Sequence, residues 1–291
     1  MTAFLVLSAA DPLSEEVISA AHRALPSEFG TAAPRRLAAE AAEFAIEGDA
    51  EAGIVVVRDA LGGAEVDVNF VPAANRVKRL LISDMDSTII PVECIDEIAD
   101  FAGVKDRVSA ITERAMQGEL DFDGALRERV GLLKGLSVEA LEKTYSERIN
   151  LNPGAEKLVG TMNDMGALTA LVSGGFTYFT ERVAAAAGFD RHQANTLLHA
   201  DGMLTGKVAD PILGREAKLA ALNALTTELD ASQDDAVAVG DGANDLAMIE
   251  AAGLGVAYRA KPAVAAKADA KLDYSDLTAI LYLQGIAAPG F

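Results

Sequence analysis

Three short apolar runs each end abruptly in a polar signature, and they limit the possible folds more than any other feature of this chain. Leu80-Leu81-Ile82-Ser83 runs into Asp84-Met85-Asp86-Ser87-Thr88, Ala170-Leu171-Val172 into Ser173-Gly174-Gly175, and Ala236-Val237-Ala238-Val239 into Gly240-Asp241-Gly242-Ala243-Asn244-Asp245. Short runs without polar alternation that stop at glycines and acids suit strands buried on both faces, as in parallel sheets. Helical patterns such as AKLAALNAL and DLAMIEAA lie between and after them. That alternation predicts an α/β fold, a Rossmann-like parallel sheet flanked by helices. Ligands of such sheets bind beyond the carboxyl ends of the strands, so the three signatures are expected to meet in one crevice.

Four acids would then cluster there. Two carboxylates ~4 Å apart repel by roughly 4 kcal/mol at an effective dielectric of 20. Asp84, Asp86, Asp241 and Asp245 therefore need a cation if all are ionised. The donors are oxygens, and His22, His192 and His199 lie outside the signatures, so Mg²⁺ suits the cluster better than zinc. Magnesium in turn implies phosphate. A lone DxD pair is ordinarily a solvated turn or a helix cap, and SGG a plain turn. Their joint occurrence at three strand ends favours chemistry, because a serine hydroxyl and glycine N–H groups make an anion nest.

The remainder of the chain sets the frame. Its 25 Lys plus Arg against 44 Asp plus Glu give a net charge of −19, which disfavours nucleic acid and anionic lipid. Cys94 is the single cysteine, so no intrachain disulfide or cysteine zinc site is available. AFLVLSAA is too short to span a bilayer, and no later run supplies the ~18 apolar residues of a membrane helix, so no membrane association and a cytoplasmic location are expected. Residues 1–76 read as a small accessory α+β domain: strand FLVLSA, helix SEEVISAAHRAL, an alanine-rich helix PRRLAAEAAEFAI, then strands IVVV and VDVNFV. VPAANRVKRL reads as the connector to residues 77–291. From about 93 to 152 the pattern is helical, with Phe122, Leu126, Val130 and Leu133 forming one apolar stripe.

The signatures DMDST, SGG and GDGAND, with a helical insert and a later lysine, resemble the haloacid dehalogenase superfamily of phosphohydrolases. The likeness is closer still in ECIDEIADFAG, ITERAMQGELDFDGALRERVGLLKGL, LVSGGF and VAVGDGANDLAMIEAAG, which resemble the members that act on O-phosphoserine. The resemblance implies a haloacid dehalogenase-like core with the helical insert as a cap. It implies that Asp84 attacks phosphorus to form an aspartyl-phosphate and that Asp86 is acid and base. Mg²⁺ would be held by Asp84, the Asp86 carbonyl, Asp241 and Asp245, with Asn244 orienting the site. Lys218 would neutralise phosphate, with Lys207 a lesser candidate, and Ser173 and Gly174 would hold its oxygens. Glu93 would take the substrate ammonium and Arg129 its carboxylate, while Met116 and Phe122 line the pocket or simply pack.

The expectation is thus a phosphatase acting on a small-molecule substrate, O-phosphoserine, at the close of serine biosynthesis. Transfer of the phosphoryl group to another alcohol such as homoserine, and an inert amino-acid-sensing protein, stand as alternatives. The resemblance also gives the first 76 residues a role in amino-acid binding or in pairing subunits as a homodimer, beside the plainer role of a stabilising domain.

Overall fold

β1 (Thr2–Ser8) is the first strand, as the apolar start predicts, and α1 (Glu15–Ala24) follows. The Ser14 side chain accepts from the N–H of Val17 at 3.2 Å and caps that helix, a contact worth ~1 kcal/mol. β2 (Arg35–Ala38), β3 (Ala41–Glu47), α2 (Ala50–Leu61) and β4 (Asp67–Pro72) complete the N-terminal unit. In this computed structural model, residues 2–30, 32–47, 50–116 and 119–290 are described, apart from the side chains of 2, 28, 50, 51, 115 and 116.

Two expectations fail here. The alanine-rich stretch forms the hairpin β2–β3, and IVVV lies inside helix α2. Alanine's helix propensity is a weak prior. β3 is an inner strand of an antiparallel sheet of order β2-β3-β1-β4, covered on both faces. Ala42, Phe44 and Ile46 pack with Leu5, Leu7, Ile18 and Val57 under the two helices. Ala38, Ala41, Leu37 and Val6 face the larger unit instead and join its apolar cluster. The two alanines among them let the layers approach. In α2, Val57 is fully buried and Val55 is exposed, a helical face that tertiary packing imposes on a β-branched run.

The larger unit begins with β5 (Leu80–Ser83) and then a helical insert of α3 (Cys94–Phe101), α4 (Lys105–Met116), α5 (Phe122–Gly131) and α6 (Val138–Arg148). The chain returns through α7 (Ala155–Asp164), β6 (Leu168–Phe176), α8 (Thr177–Ala187) and β7 (Arg191–Asn195). A hairpin of β8 (Leu197–Ala200) and β9 (Met203–Val208) precedes α9 (Arg215–Glu228) and β10 (Ala236–Gly240). α10 (Leu246–Ala251), β11 (Leu254–Tyr258), α11 (Pro262–Ala265), β12 (Ala270–Leu272) and α12 (Ala279–Leu283) close the chain.

The sheet order is β12-β11-β10-β5-β6-β7, with every pairing parallel. From β5 the chain builds outward through β6 and β7, then crosses to β10 and builds the other way. The switch in direction lies between β5 and β10, where such sheets open a crevice. Asp84 follows directly on β5, and its N–H donates to the Val239 carbonyl of β10 at 3.0 Å.

The two ends of the insert meet. Asn152 donates its backbone N–H to the Ile89 carbonyl and its Nδ2 to the Thr88 carbonyl, both at 2.7 Å. The β8–β9 hairpin, which the sequence pattern did not reveal, braces the insert from outside. Gly135 N–H donates to the Leu204 carbonyl at 2.9 Å, and Leu204 N–H to the Leu136 carbonyl at 2.8 Å. The apolar stripe is real: Leu126, Val130 and Leu133 are buried, and Phe122 at its head packs against the same cluster. Among the described residues no helix is long and apolar enough to cross a membrane.

Candidate active site

The three strand ends meet at a cleft of about 310 Å³ between the sheet and the insert. Asp84, Asp86, Ser173, Gly174, Gly175, Asp241, Gly242 and Asn244 line its sheet side; Glu93, Phe122, Leu126 and Arg129 line the insert side. Nine of the expected residues are thereby brought together at one place, and Lys218 and Asp245 lie just behind them. The Met116 side chain falls outside the described residues. Lys207 lies in β9, paired with Leu198 and outside the cleft.

The Lys218 ammonium is 2 % exposed and bridges two carboxylates, 2.7 Å from Asp84 Oδ1 and 2.5 Å from Asp245 Oδ1. Burial works against its charge, but Asp84 and Asp245 outweigh that and raise its pKa above the usual lysine value. Asp84 Oδ1 also accepts from Met85 N–H at 2.7 Å, whereas Oδ2 has only Asn244 Nδ2 at 3.5 Å. One oxygen is pinned; the other keeps its lone pairs open. Burial first and the Asp245 charge second push the Asp84 pKa well above the carboxylate range, with Lys218 opposing.

Asp86 points away from that cluster. Its Oδ1 accepts from Cys94 N–H at 2.9 Å and its Oδ2 from Ser173 Oγ at 3.3 Å. Burial, then the nearby Glu93 charge, raise its pKa to about 7. Gly175 is required beside it: a β-carbon there would stand 2.8 Å from Asp86 Oδ2 and 3.0 Å from Ser173 Oγ. Gly242 N–H donates to Asp245 Oδ2 at 3.0 Å, tying the third signature into one tight loop.

The carboxylates of Asp84, Asp241 and Asp245 bring oxygens within 4.8 Å of one another. An all-oxygen, largely buried donor set with surplus negative charge suits a hard divalent cation. Burial first, then the charges of Asp245 and Glu93, raise Asp241 to about 6. The Asp86 side chain stands outside this set.

On the insert side, Ser87 sits in the left-handed region at φ +56°, uncommon for a residue with a side chain. That conformation aims its hydroxyl at Glu93, donating to Oε1 at 2.8 Å. Arg129 donates Nε–H to the Ala125 carbonyl at 3.2 Å and makes no ion pair within 4 Å among the described residues, so its fork is open to the cleft. Burial lowers its pKa, with Asp96 and Glu93 opposing. Phe122 covers the Gly174 and Gly214 backbone as well as packing along its stripe: β-carbons on those glycines would stand 3.2 and 3.1 Å from its ring. Asp96 and Lys261 also line the cleft and were not singled out from the sequence. Asp96 was within reach of such reasoning, lying three residues after Glu93 on one helical face. Lys261 follows β11, a strand whose apolar run LGVAY would have marked its end as another edge of the crevice.

Residues 81–250 match the haloacid dehalogenase-like hydrolase family. The chain belongs to that family. It is 47 % identical over 210 residues to the phosphoserine phosphatase of a Polaromonas species, covering 70 % of this chain and 89 % of that one. Of solved structures, a probable phosphoserine phosphatase from Vibrio cholerae is 34 % identical with a TM-score of 0.82, covering 98 % of this chain and 87 % of that one. A haloacid dehalogenase family hydrolase from Salmonella enterica serovar Typhi superposes with a TM-score of 0.86 at 29 % identity, covering 97 % and 98 %. Within its family the chain groups with the phosphoserine phosphatases, and the likeness in structure takes in the N-terminal sheet.

Proposed function

We propose that the chain hydrolyses O-phospho-L-serine to L-serine and phosphate, the closing step of serine biosynthesis, in the cytoplasm. The observation that carries the reading is the pairing of two unlike walls. Asp84 and Asp86 stand on the sheet side, and an acid and a base, Glu93 and Arg129, face them from the insert. Phosphoserine presents three matching groups: a phosphate, an ammonium and a carboxylate.

Asp84 Oδ2, free of strong partners, attacks phosphorus while Lys218 and Met85 N–H hold Oδ1. Asp86, poised at about 7, gives its proton to the departing serine oxygen and then takes one from the water that cleaves the aspartyl-phosphate. Ser173 Oγ keeps Asp86 Oδ2 in place, and the Gly174 backbone receives a phosphoryl oxygen. Mg²⁺ held by Asp84, Asp241 and Asp245, with the Asp86 carbonyl, would offset the repulsion between the carboxylates and the phosphoryl oxygens. Arg129 clasps the substrate carboxylate, and Glu93, fixed by Ser87, takes the ammonium. Phe122 closes the apolar side. Transfer to homoserine and an inert sensor are not favoured, since the relatives found are phosphatases. Residues 1–76 serve as an accessory unit and 77–291 as the phosphatase domain, with residues 93–152 as its cap.

Phosphate release from L-phosphoserine, with Mg²⁺ or EDTA and with other phosphomonoesters alongside, tests the reading. Strong preference for phosphoserine is expected; equal rates on all esters would overturn the roles of Glu93 and Arg129. Consumption of phosphoserine without phosphate release, with homoserine present, would overturn hydrolysis.

A further inference from the structure

We infer that Lys261 is a further substrate-binding residue, the cation on the sheet-side rim that receives the phosphoryl group before it reaches Asp84; the inference rests on the phosphatase reading above. The lining of the cleft sets five carboxylates, Asp84, Asp86, Glu93, Asp96 and Asp241, against two cations, Arg129 and Lys261. Lys218 does not redress the rim, being buried and held by Asp84 and Asp245 at 2.7 and 2.5 Å. Arg129 stands on the insert beside Asp96 and Glu93, where the amino-acid end of the substrate is placed. A divalent ion among Asp84, Asp241 and Asp245 would still leave the two rim acids Glu93 and Asp96 sharing the single Arg129 charge on the insert. On a chain of net charge −19, a doubly charged phosphate monoester meets repulsion nearly everywhere else.

The placing of Lys261 is built into the main chain. Its N–H donates to the Asp241 carbonyl at 3.2 Å, and its carbonyl accepts from Val264 and Ala265 N–H at 2.9 and 3.0 Å. Pro262 begins the short helix that follows and fixes φ there. The backbone is thus tied to the loop bearing Asp241, while the side chain is exposed and makes no ion pair within 4 Å among the described residues. An anchored backbone with an ammonium that feels the Asp241 charge but is held in no ion pair is what capture of a mobile anion asks for.

The test is steady-state kinetics of full-length Lys261→Ala, Lys261→Glu and Lys261→Arg with saturating Mg²⁺, on phosphoserine and on p-nitrophenyl phosphate, at low and high salt. Every variant keeps the main-chain bonds, so melting temperatures near wild type are expected and verify folding. Lys261→Ala should lower kcat/KM ~10-fold on both esters with kcat nearly unchanged, an effect that shrinks as salt screens the rim. Lys261→Glu should be worse and Lys261→Arg close to wild type. An unchanged kcat/KM for Lys261→Ala, a Glu variant no worse than Ala, or a loss confined to phosphoserine would overturn the inference. Wild-type enzyme active on p-nitrophenyl phosphate alone would sink the substrate reading while Lys261 is still judged on that ester; wild type inert on both would sink the two together.

Discussion

Arg76 and Lys218 are both buried cations, yet one sits in a closed arrangement and the other in an open one. Arg76, at the joint of the two sheets, reaches Glu43 Oε2 at 2.7 Å, the Leu283 and Tyr282 carbonyls at 2.8 and 3.2 Å, and the Phe4 ring at 4.1 Å. Glu43 in turn takes Arg35 through its other oxygen at 2.7 Å. The Nε and Nη2 donors of Arg76 and both oxygens of Glu43 are used, so the charges there are already matched. Lys218 meets two carboxylates with Asp241 close by, and the surplus acid is left for a ligand to complete. Burial punishes unpaired charge, so the joint is arranged for permanence and the cleft for binding.

The comparison is broken most sharply by Asp84→Asn. Phosphate release should fall at least ~10³-fold, while the metal-free melting temperature holds or rises because one member of the acid cluster is gone. A rate near wild type would refute the assignment of the nucleophile. Arg76→Ala should do the reverse, costing ~1.5–3 kcal/mol in urea unfolding because Glu43 Oε2 loses its buried partner and keeps only the exposed Arg35 on Oε1, with kcat of the folded protein kept. Arg129→Lys should reduce kcat/KM for phosphoserine by ~10–100-fold and leave p-nitrophenyl phosphate hydrolysis alone, since an ammonium cannot grip a carboxylate through a planar fork.

The smallest effect concerns pH. The folded protein raises Asp84, raises Asp86 to about 7 and raises Asp241 to about 6, mainly by burial. Raised carboxyls bind protons better folded than unfolded, so their contribution is complete near pH 4 and drains away as pH climbs through about 7. The metal-free melting temperature should therefore fall by ~5 °C between pH 5 and 8 beyond that of Asp86→Asn, with added Mg²⁺ shrinking the gap. Matching slopes for the two proteins would show that Asp86 is not raised.

The cleft was legible because its chemistry sits at strand ends. LLIS, ALV and AVAV are buried parallel strands, and whatever follows such a strand lands in the crevice. The N-terminal unit was less so. Ala41, Ala42 and Phe44 form a strand, and Val55 to Val57 a helix, because neighbouring layers decide them rather than local preference. The reach of Lys218 beneath Asp84, rather than into the cleft, depends on Asp245 being beside it, a contact across the sheet that spacing along the chain does not encode. Lys261 is less legible because the strand LGVAY runs into Arg259-Ala260-Lys261-Pro262, which carries none of the acid-and-glycine signature of the other strand ends.

The helical insert leaves and re-enters the molecule at nearly one point, where Asn152 clasps the carbonyls of Thr88 and Ile89. A segment with its two ends fastened side by side behaves as a cassette. It can be lengthened, trimmed or exchanged with little strain on the loop that carries Asp84. On the proposed reading, selectivity would rest with Glu93 and Arg129 and be inherited separately from reactivity at the strand ends. One hydrolytic core could acquire a new clientele by changing only what is strung between Thr88 and Asn152.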